Sequence, residues 1–148
     1  MAEALALQEP GSLFANQFET LSNLKAHYEG TGPEIWDQMG GRVDAFVCGA
    51  GTGGTIAGVS GFLRERSNKV KIHLVDPKGS SLLNRVRYGV LYTSEEAETF
   101  RVKHPYDTII EGVGLNRLTA NFERAHIDWA FHCSDQEAVN MSRFVLRH

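Results

Sequence analysis

The feature that most constrains this chain is a glycine-rich run, Gly49-Ala50-Gly51-Thr52-Gly53-Gly54-Thr55. Before it lies Val43–Cys48, a short apolar stretch of the kind that forms a buried strand. After it, residues 54–66 read as a helix, and Val70–Val75 reads as a second strand that ends at Asp76-Pro77. Strand, glycine loop, helix and strand within about 33 residues predict a βαβ crossover in a parallel sheet, hence an α/β fold.

Glycines between a strand and a helix let the backbone approach an anion, and the helix N-terminus adds free N–H groups and a favourable dipole. Thr52 and Thr55 add hydroxyl donors. Three ligands suit such a cradle. A dinucleotide is one: Gly49, Gly51 and Gly54 satisfy G-x-G-x-x-G, and Asp76 ends the next strand, where an acid would meet a ribose hydroxyl. A nucleoside triphosphate fits less well, because the loop lacks the Gly-Lys-Ser/Thr ending of a P-loop. The phosphate of pyridoxal phosphate is the third. A bland alternative is a tight strand–helix turn needed only for packing.

Elsewhere the pattern predicts mostly short elements. Residues 1–15 read as a helix remnant and linker with a turn at Pro10-Gly11, followed by a domain over 16–148. Phe18, Leu21, Leu24 and Tyr28 recur at helical spacing over 16–28, Gly30–Pro33 reads as a break, and Pro33–Met39 as a new helix. A short helix is expected over 79–87, another from the capping box Thr93–Glu96 to Arg101, and a third over 115–126. Thr108–Ile110 and Trp129–His132 are strand candidates. Ser134–Glu137 is a second capping box, opening a helix to the end of the sequence whose apolar positions Ala138, Met141 and Val145 predict packing on a sheet. That helix has no closing glycine, which suggests a longer parent chain.

Composition excludes several functions. Net charge is −3 and the basic residues are scattered, so a nucleic-acid surface is not indicated. No apolar run reaches the roughly 18–20 residues that cross a bilayer. Met1–Pro10 carries acids and no base, unlike a presequence. The two cysteines, Cys48 and Cys133, make no disulfide framework and favour a reducing compartment. His126, His132 and Cys133 lie close together but match no zinc spacing, so no metal is expected. Cys48 reads as a small buried hydrophobe, Trp36 and Trp129 as core or interface anchors, and Glu95, Glu96 and Glu98 as a solvated face.

Three stretches carry a resemblance: Asn16–Asn23, His27–Trp36 (His-Tyr-Glu-Gly-Thr-Gly-Pro-Glu-Ile-Trp) and Gly51–Gly58 (Gly-Thr-Gly-Gly-Thr-Ile-Ala-Gly). In this order and spacing they resemble the cysteine synthase and cystathionine β-synthase family, the O-acetylserine sulfhydrylase type of pyridoxal-phosphate enzymes of fold type II. Val75–Ser81 and Glu111–Arg117 look like a cysteine-synthase-like branch common in fungi. The likeness spans nearly all of 13–148 and implies pyridoxal 5'-phosphate as the loop's ligand. It implies a three-layer, Rossmann-like, partly parallel sheet with flanking helices, as an incomplete large domain of the tryptophan synthase β-like fold.

By the same resemblance Gly51, Thr52, Gly53, Gly54 and Thr55 bind the cofactor phosphate, and Gly112, Val113 and Gly114 border the ring and substrate. The family's Schiff-base lysine sits in a Ser-x-Lys-Asp-Arg context. None of Lys25, Lys69, Lys71, Lys78 and Lys103 has that context, so no catalytic residue is assigned. The Thr-Ser-Gly-Asn loop for the substrate carboxylate and the later Ser-Ser-Gly-like segment are also missing. The resemblance thus implies an internal fragment, without the lysine-bearing N-terminal part and the C-terminal end, and inactive alone. The parent activity would be β-replacement, O-acetylserine plus sulfide giving cysteine, in a cytoplasmic or mitochondrial homodimer acting on a small amino acid. The alternatives are completion by a second chain that supplies the lysine, a non-catalytic remnant that binds a phosphate ligand or a partner, or the dinucleotide domain above.

Overall fold

A computed structural model describes residues 2–93 and 108–148. The helix expected from Thr93 to Arg101, with Glu95, Glu96 and Glu98, and also Lys103, falls outside the described residues.

Three strands form a parallel sheet in the order β1 (Ala45–Cys48), β2 (Lys71–Pro77), β3 (Trp129–Cys133). Helix α4 (Gly54–Arg66) joins β1 to β2, which is the predicted strand–loop–helix–strand unit. The sheet's two faces differ because strand side chains alternate. Phe46 is in register with Ile72, and Cys48 with Leu74, which in turn pairs with Ala130. Ile72, Leu74 and Ala130 are fully buried and form one core with Ile56, Val59 and Leu63 of α4. The intervening residues Val47, Trp129 and Phe131 are exposed. Val43–Cys48, expected as a buried strand, is therefore an edge strand from Ala45 onward among the described residues, paired there with β2 alone and half-buried on one face only.

Eight residues of α4 are buried, since the sheet covers one side and a helical run covers the other. That run comprises α2 (Ser22–Ala26), a π-helical turn (His27–Thr31) and α3 (Gly32–Gln38). The expected break at Gly30–Pro33 does not occur. The Gly32 N–H bonds back to the His27 carbonyl, so the turn before Pro33 is one residue wider and the helical path continues past the proline. The helix also starts later than the spacing suggests, because Asn16 accepts the Phe18 N–H in a turn of its own. Gly58 marks the crossing with α4: a β-carbon there would lie 2.3 Å from the Leu24 carbonyl oxygen.

Helix α5 (Leu82–Tyr88) follows β2 as expected, and Leu82 enters the core. The helix predicted over 115–126 is instead an irregular segment with one 3-10 turn (Phe122–Arg124). Its polar groups are committed elsewhere. The Leu115 carbonyl accepts from the Ser80 and Ser81 hydroxyls, and the Thr119 hydroxyl donates to the Thr52 carbonyl at 2.6 Å. Thr108–Ile110 is not a strand; the Thr108 hydroxyl donates to Asp135 and its oxygen accepts the Ile110 N–H.

At the two ends, α1 (Ala2–Gln8) and α6 (Asp135–Arg147) contain no buried residue. The capping box of α6 forms as predicted: the Ser134 hydroxyl accepts the Glu137 N–H while the Glu137 carboxylate accepts the Ser134 N–H. The predicted packing of α6 on the sheet does not form. Capping and helical periodicity are local, whereas burial needs a partner, and Met141, Phe144 and Val145 remain exposed.

Candidate functional site

The glycine loop turns the chain from β1 into α4. Gly53 precedes the helix with φ +86°, a left-handed conformation that L side chains avoid, and a β-carbon there would also lie 2.7 Å from the Phe122 backbone nitrogen. Gly51 has no room for another reason: its β-carbon would fall 2.0 Å from the Gly112 carbonyl oxygen. Gly51 and Gly53 are therefore demanded by the protein's own backbone contacts. The same contacts hold two turns face to face, with the Gly114 N–H donating to the Ala50 carbonyl at 2.8 Å.

Between these turns lies a cleft of about 470 Å³, lined in part by Phe18, Gly51, Thr52, Gly112, Val113 and Gly114. Two sequence-predicted groups separated by about 60 residues thus share one wall-to-wall space. Gly53 and Gly54 are buried beside Thr52, and the half-buried Thr55 has its hydroxyl 3.1 Å from His27 Nε2.

The donor set suits an anion. The first turn of α4 has N–H groups at Gly54, Thr55 and Ile56 that no intrahelical carbonyl can reach. The Thr52 hydroxyl accepts from the Asn23 amide at 2.9 Å and from the Gly54 N–H at 3.4 Å. With both lone pairs engaged, its remaining capacity is as a donor. The Asn23 amide nitrogen also donates to the Gln17 carbonyl, which fixes which end of the amide faces Thr52.

Residues that sequence reasoning missed brace this arrangement. Asn121, fully buried, accepts the Leu24 N–H and donates to the carbonyls of Phe18 and Thr20. Glu19 accepts from Arg117 at 2.7 Å and from the Ala120 N–H, and these bonds hold its carboxyl below the usual range. Together they tie the 16–24 segment over the loop. Asn23 and His27 lay within the resembling stretches, but Thr119 and Asn121 gave no signal because their segment reads as a helix.

The remaining candidates fall elsewhere. Asp76 is buried, and its carboxylate accepts the Leu83 N–H at 2.8 Å at the start of α5. Burial pushes its pKa up, against the lowering effects of that bond, of Ser80 and of His132. A dinucleotide would therefore lack its ribose contact here. Cys48 is half-buried and burial raises its thiol pKa. Among the described residues no group of three or more His, Cys, Asp or Glu could hold a metal ion, and no helix is long and apolar enough to cross a membrane.

The model of the family "Pyridoxal-phosphate dependent enzyme" matches residues 1–148. "Cysteine synthase 2" of Schizosaccharomyces pombe is 49% identical over 137 residues, covering 91% of this chain and 35% of that protein. A relative from Saccharomyces cerevisiae, named as a mitochondrial cysteine synthase, is 49% identical over 138 residues, covering 90% of this chain and 35% of its own length. The crystal structure of an O-acetylserine dependent cystathionine beta-synthase from Helicobacter pylori superposes with a TM-score of 0.76 at 31% identity, over 98% of this chain and 42% of that one. The chain thus spans about a third of the length of the curated relatives it matches. Its parallel α/β architecture is part of a fold type II domain, and the chain belongs to the pyridoxal-phosphate dependent enzyme family.

Proposed function

We propose that this chain carries the cofactor-phosphate cradle of a cysteine synthase, and that the whole protein makes cysteine from O-acetylserine and sulfide. The observation that carries this reading is the cleft in which Gly51 and Thr52, at the N-terminus of α4, face Gly112–Gly114. The residues fit the group: backbone N–H donors, a hydroxyl with its acceptor sites already filled, and a helix dipole all favour a phosphate. Gly51, Thr52, Gly53, Gly54 and Thr55 would hold it, and Gly112, Val113 and Gly114 would bound the ring. Pyridoxal phosphate, when bound, supplies an electron sink for replacing the β-substituent of an amino acid. The chain's own residues bind and orient; they do not move the proton. Among the described residues no lysine lines the cleft. Lys25 is exposed and paired with Glu29.

Residues 16–148 form the cofactor-binding part of a larger domain in this reading, with 1–15 as a linker. The whole protein is a homodimer of the cytoplasm or mitochondrion that takes a small amino-acid substrate. Titration of the purified chain with pyridoxal phosphate, followed by tryptophan fluorescence, tests the cradle. Saturable binding that inorganic phosphate competes away is expected, together with no cysteine formation from O-acetylserine and sulfide. Failure to bind overturns the cradle, and measurable turnover overturns the assignment of an incomplete site.

A second reading, completion by another chain that supplies the lysine, is favoured by one observation. Val47, Trp129 and Phe131 leave an apolar sheet face open, and such a face suits a covering partner. Co-expression with the lysine-bearing part of a relative tests it: recovered cysteine synthesis supports it, and two chains that purify apart and inactive overturn it.

A further inference from the structure

We propose that His27 is a positioning residue of the phosphate cradle, donating from Nε2 to the Thr55 hydroxyl so that this hydroxyl's own proton is presented to the phosphate. The inference rests on the reading that the N-terminus of α4 holds a phosphate. The imidazole bridges two hydroxyls, with Nδ1 3.0 Å from Thr31 Oγ1 and Nε2 3.1 Å from Thr55 Oγ1. His27 and Thr31 are the first and last residues of the π-helical turn. Such turns are rare and often occur at functional sites. The turn is held against α4 where Gly58 leaves no room for a side chain between them, so the ring is directed at the first turn of that helix.

The two cradle threonines then follow one rule. The Asn23 amide can only donate to Thr52, because its nitrogen is fixed by the Gln17 carbonyl. That leaves the Thr52 proton for an outside acceptor. A protonated Nε2 on His27 does the same for Thr55, with Thr31 as the partner of Nδ1. An unprotonated Nε2 would instead draw the Thr55 proton inward and turn an oxygen lone pair toward the anion, a repulsive arrangement. Asn23 and His27 thus set the polarity of the cradle from successive turns of one helical run without touching the ligand.

The first test reads the ring directly. In the full chain, labelled with ¹⁵N at histidine and held at mildly alkaline pH, the resonances that vanish in His27→Gln identify this ring among the others. A protonated Nε2 is expected, and an unprotonated Nε2 overturns the proposal. The second test uses pyridoxal phosphate and inorganic phosphate as probes. A glutamine amide can take the place of Nε2–H whereas an asparagine amide falls short. His27→Gln should therefore stay near wild-type affinity and His27→Asn should lose about tenfold, the equivalent of one hydrogen bond. Thr31→Val, which removes only the partner of Nδ1, gives a smaller loss and serves if His27→Asn does not fold. If the wild-type chain binds phosphate and the His27 and Thr31 variants all match it, this inference alone fails. If the wild-type chain binds neither probe, the cradle reading fails and takes the inference with it.

Discussion

The two faces of the sheet are built from alternate residues of the same strands, yet they have opposite surroundings. Toward α4, Ile72, Leu74 and Ala130 are completely buried, and behind α4 the run from α2 to α3 closes a second layer. On the other face, Val47 is 56% exposed, Trp129 46% and Phe131 45%. The candidate site lies at the edge of the closed side. Asn23, His27 and Asn121, which brace it, are held by contacts within that side. The proposed cradle can therefore be rigid in a chain that spans only a third of its relatives' length, because its bracing comes from one packed half of the sheet.

Neighbouring residues of β2 give the largest test of this contrast. Leu74→Ala should cost about 3–4 kcal/mol, as truncation of a fully buried leucine does, while Val75→Ala, one residue on and half-exposed, should cost less than about 1 kcal/mol. Urea unfolding of both variants checks it. Equal costs would mean that the second face is covered in solution.

Next in size is Gly51→Ala. The added methyl group meets the Gly112 carbonyl, a backbone atom that cannot rotate away, so the two glycine turns must separate. A loss of about 2–3 kcal/mol is expected, with pyridoxal phosphate binding abolished. Retained binding would show that the cleft does not depend on this contact.

Much of the closed side was legible in the sequence. Val43–Val75 announced its strand, loop, helix and strand through local composition, and the capping box at Ser134 stated where α6 begins. What failed depended on distant partners. Residues 115–126 have a helical pattern, but Thr119 and Asn121 spend their side chains on Thr52 and on the 16–24 segment. Gly30–Pro33 carries break signals, yet packing against Phe62 and a widened turn keep it helical. Sequence also placed α6 on a sheet because amphipathicity shows that a face is apolar and not what it meets. The glycine loop could be placed between β1 and α4 from its motif, whereas the contacts of Asn23 and His27 required coordinates, since a hydrogen-bond partner leaves no periodic trace.

Asn121 is the clearest of these hidden supports. Asn121→Ala strands the Leu24 N–H and frees the carbonyls of Phe18 and Thr20, for an expected loss of about 2 kcal/mol. Amide hydrogen exchange should speed up over 17–24 and leave β2 unchanged if the asparagine braces only that segment. Uniform acceleration would show instead that it supports the whole fold.

Asp128 links α4 to the sheet by accepting from the Ile72 N–H at 2.7 Å and from Arg64. Burial raises its pKa, but these two donors outweigh burial and the net shift is downward from 3.8. A carboxyl with a lowered folded-state pKa stabilises above its unfolded pKa, and that contribution is lost as pH falls through the folded value. Asp128→Asn should therefore cost about 1 kcal/mol at neutral pH and nothing at the acid end of the titration. A constant difference between wild type and variant down to the most acid pH would mean that the charge contributes nothing.

The smallest effect on stability belongs to the open face, where the ring of Phe131 stands edge-on to His73 at 5.4 Å between centroids. Replacing Phe131 by Ser removes an exposed side chain, so the unfolding free energy should change by less than about 1 kcal/mol. Its effect on association should be larger. Phe131, Trp129 and Val47 together form an apolar strip on a sheet whose edge strand β1 is unpaired on its outer side among the described residues. Sedimentation velocity at increasing concentration should show wild-type chains self-associating and Phe131→Ser chains doing so less. A wild-type chain that stays monomeric at high concentration would show that this face is tolerated in water, and the contrast between the two faces would then concern packing alone and not partnership.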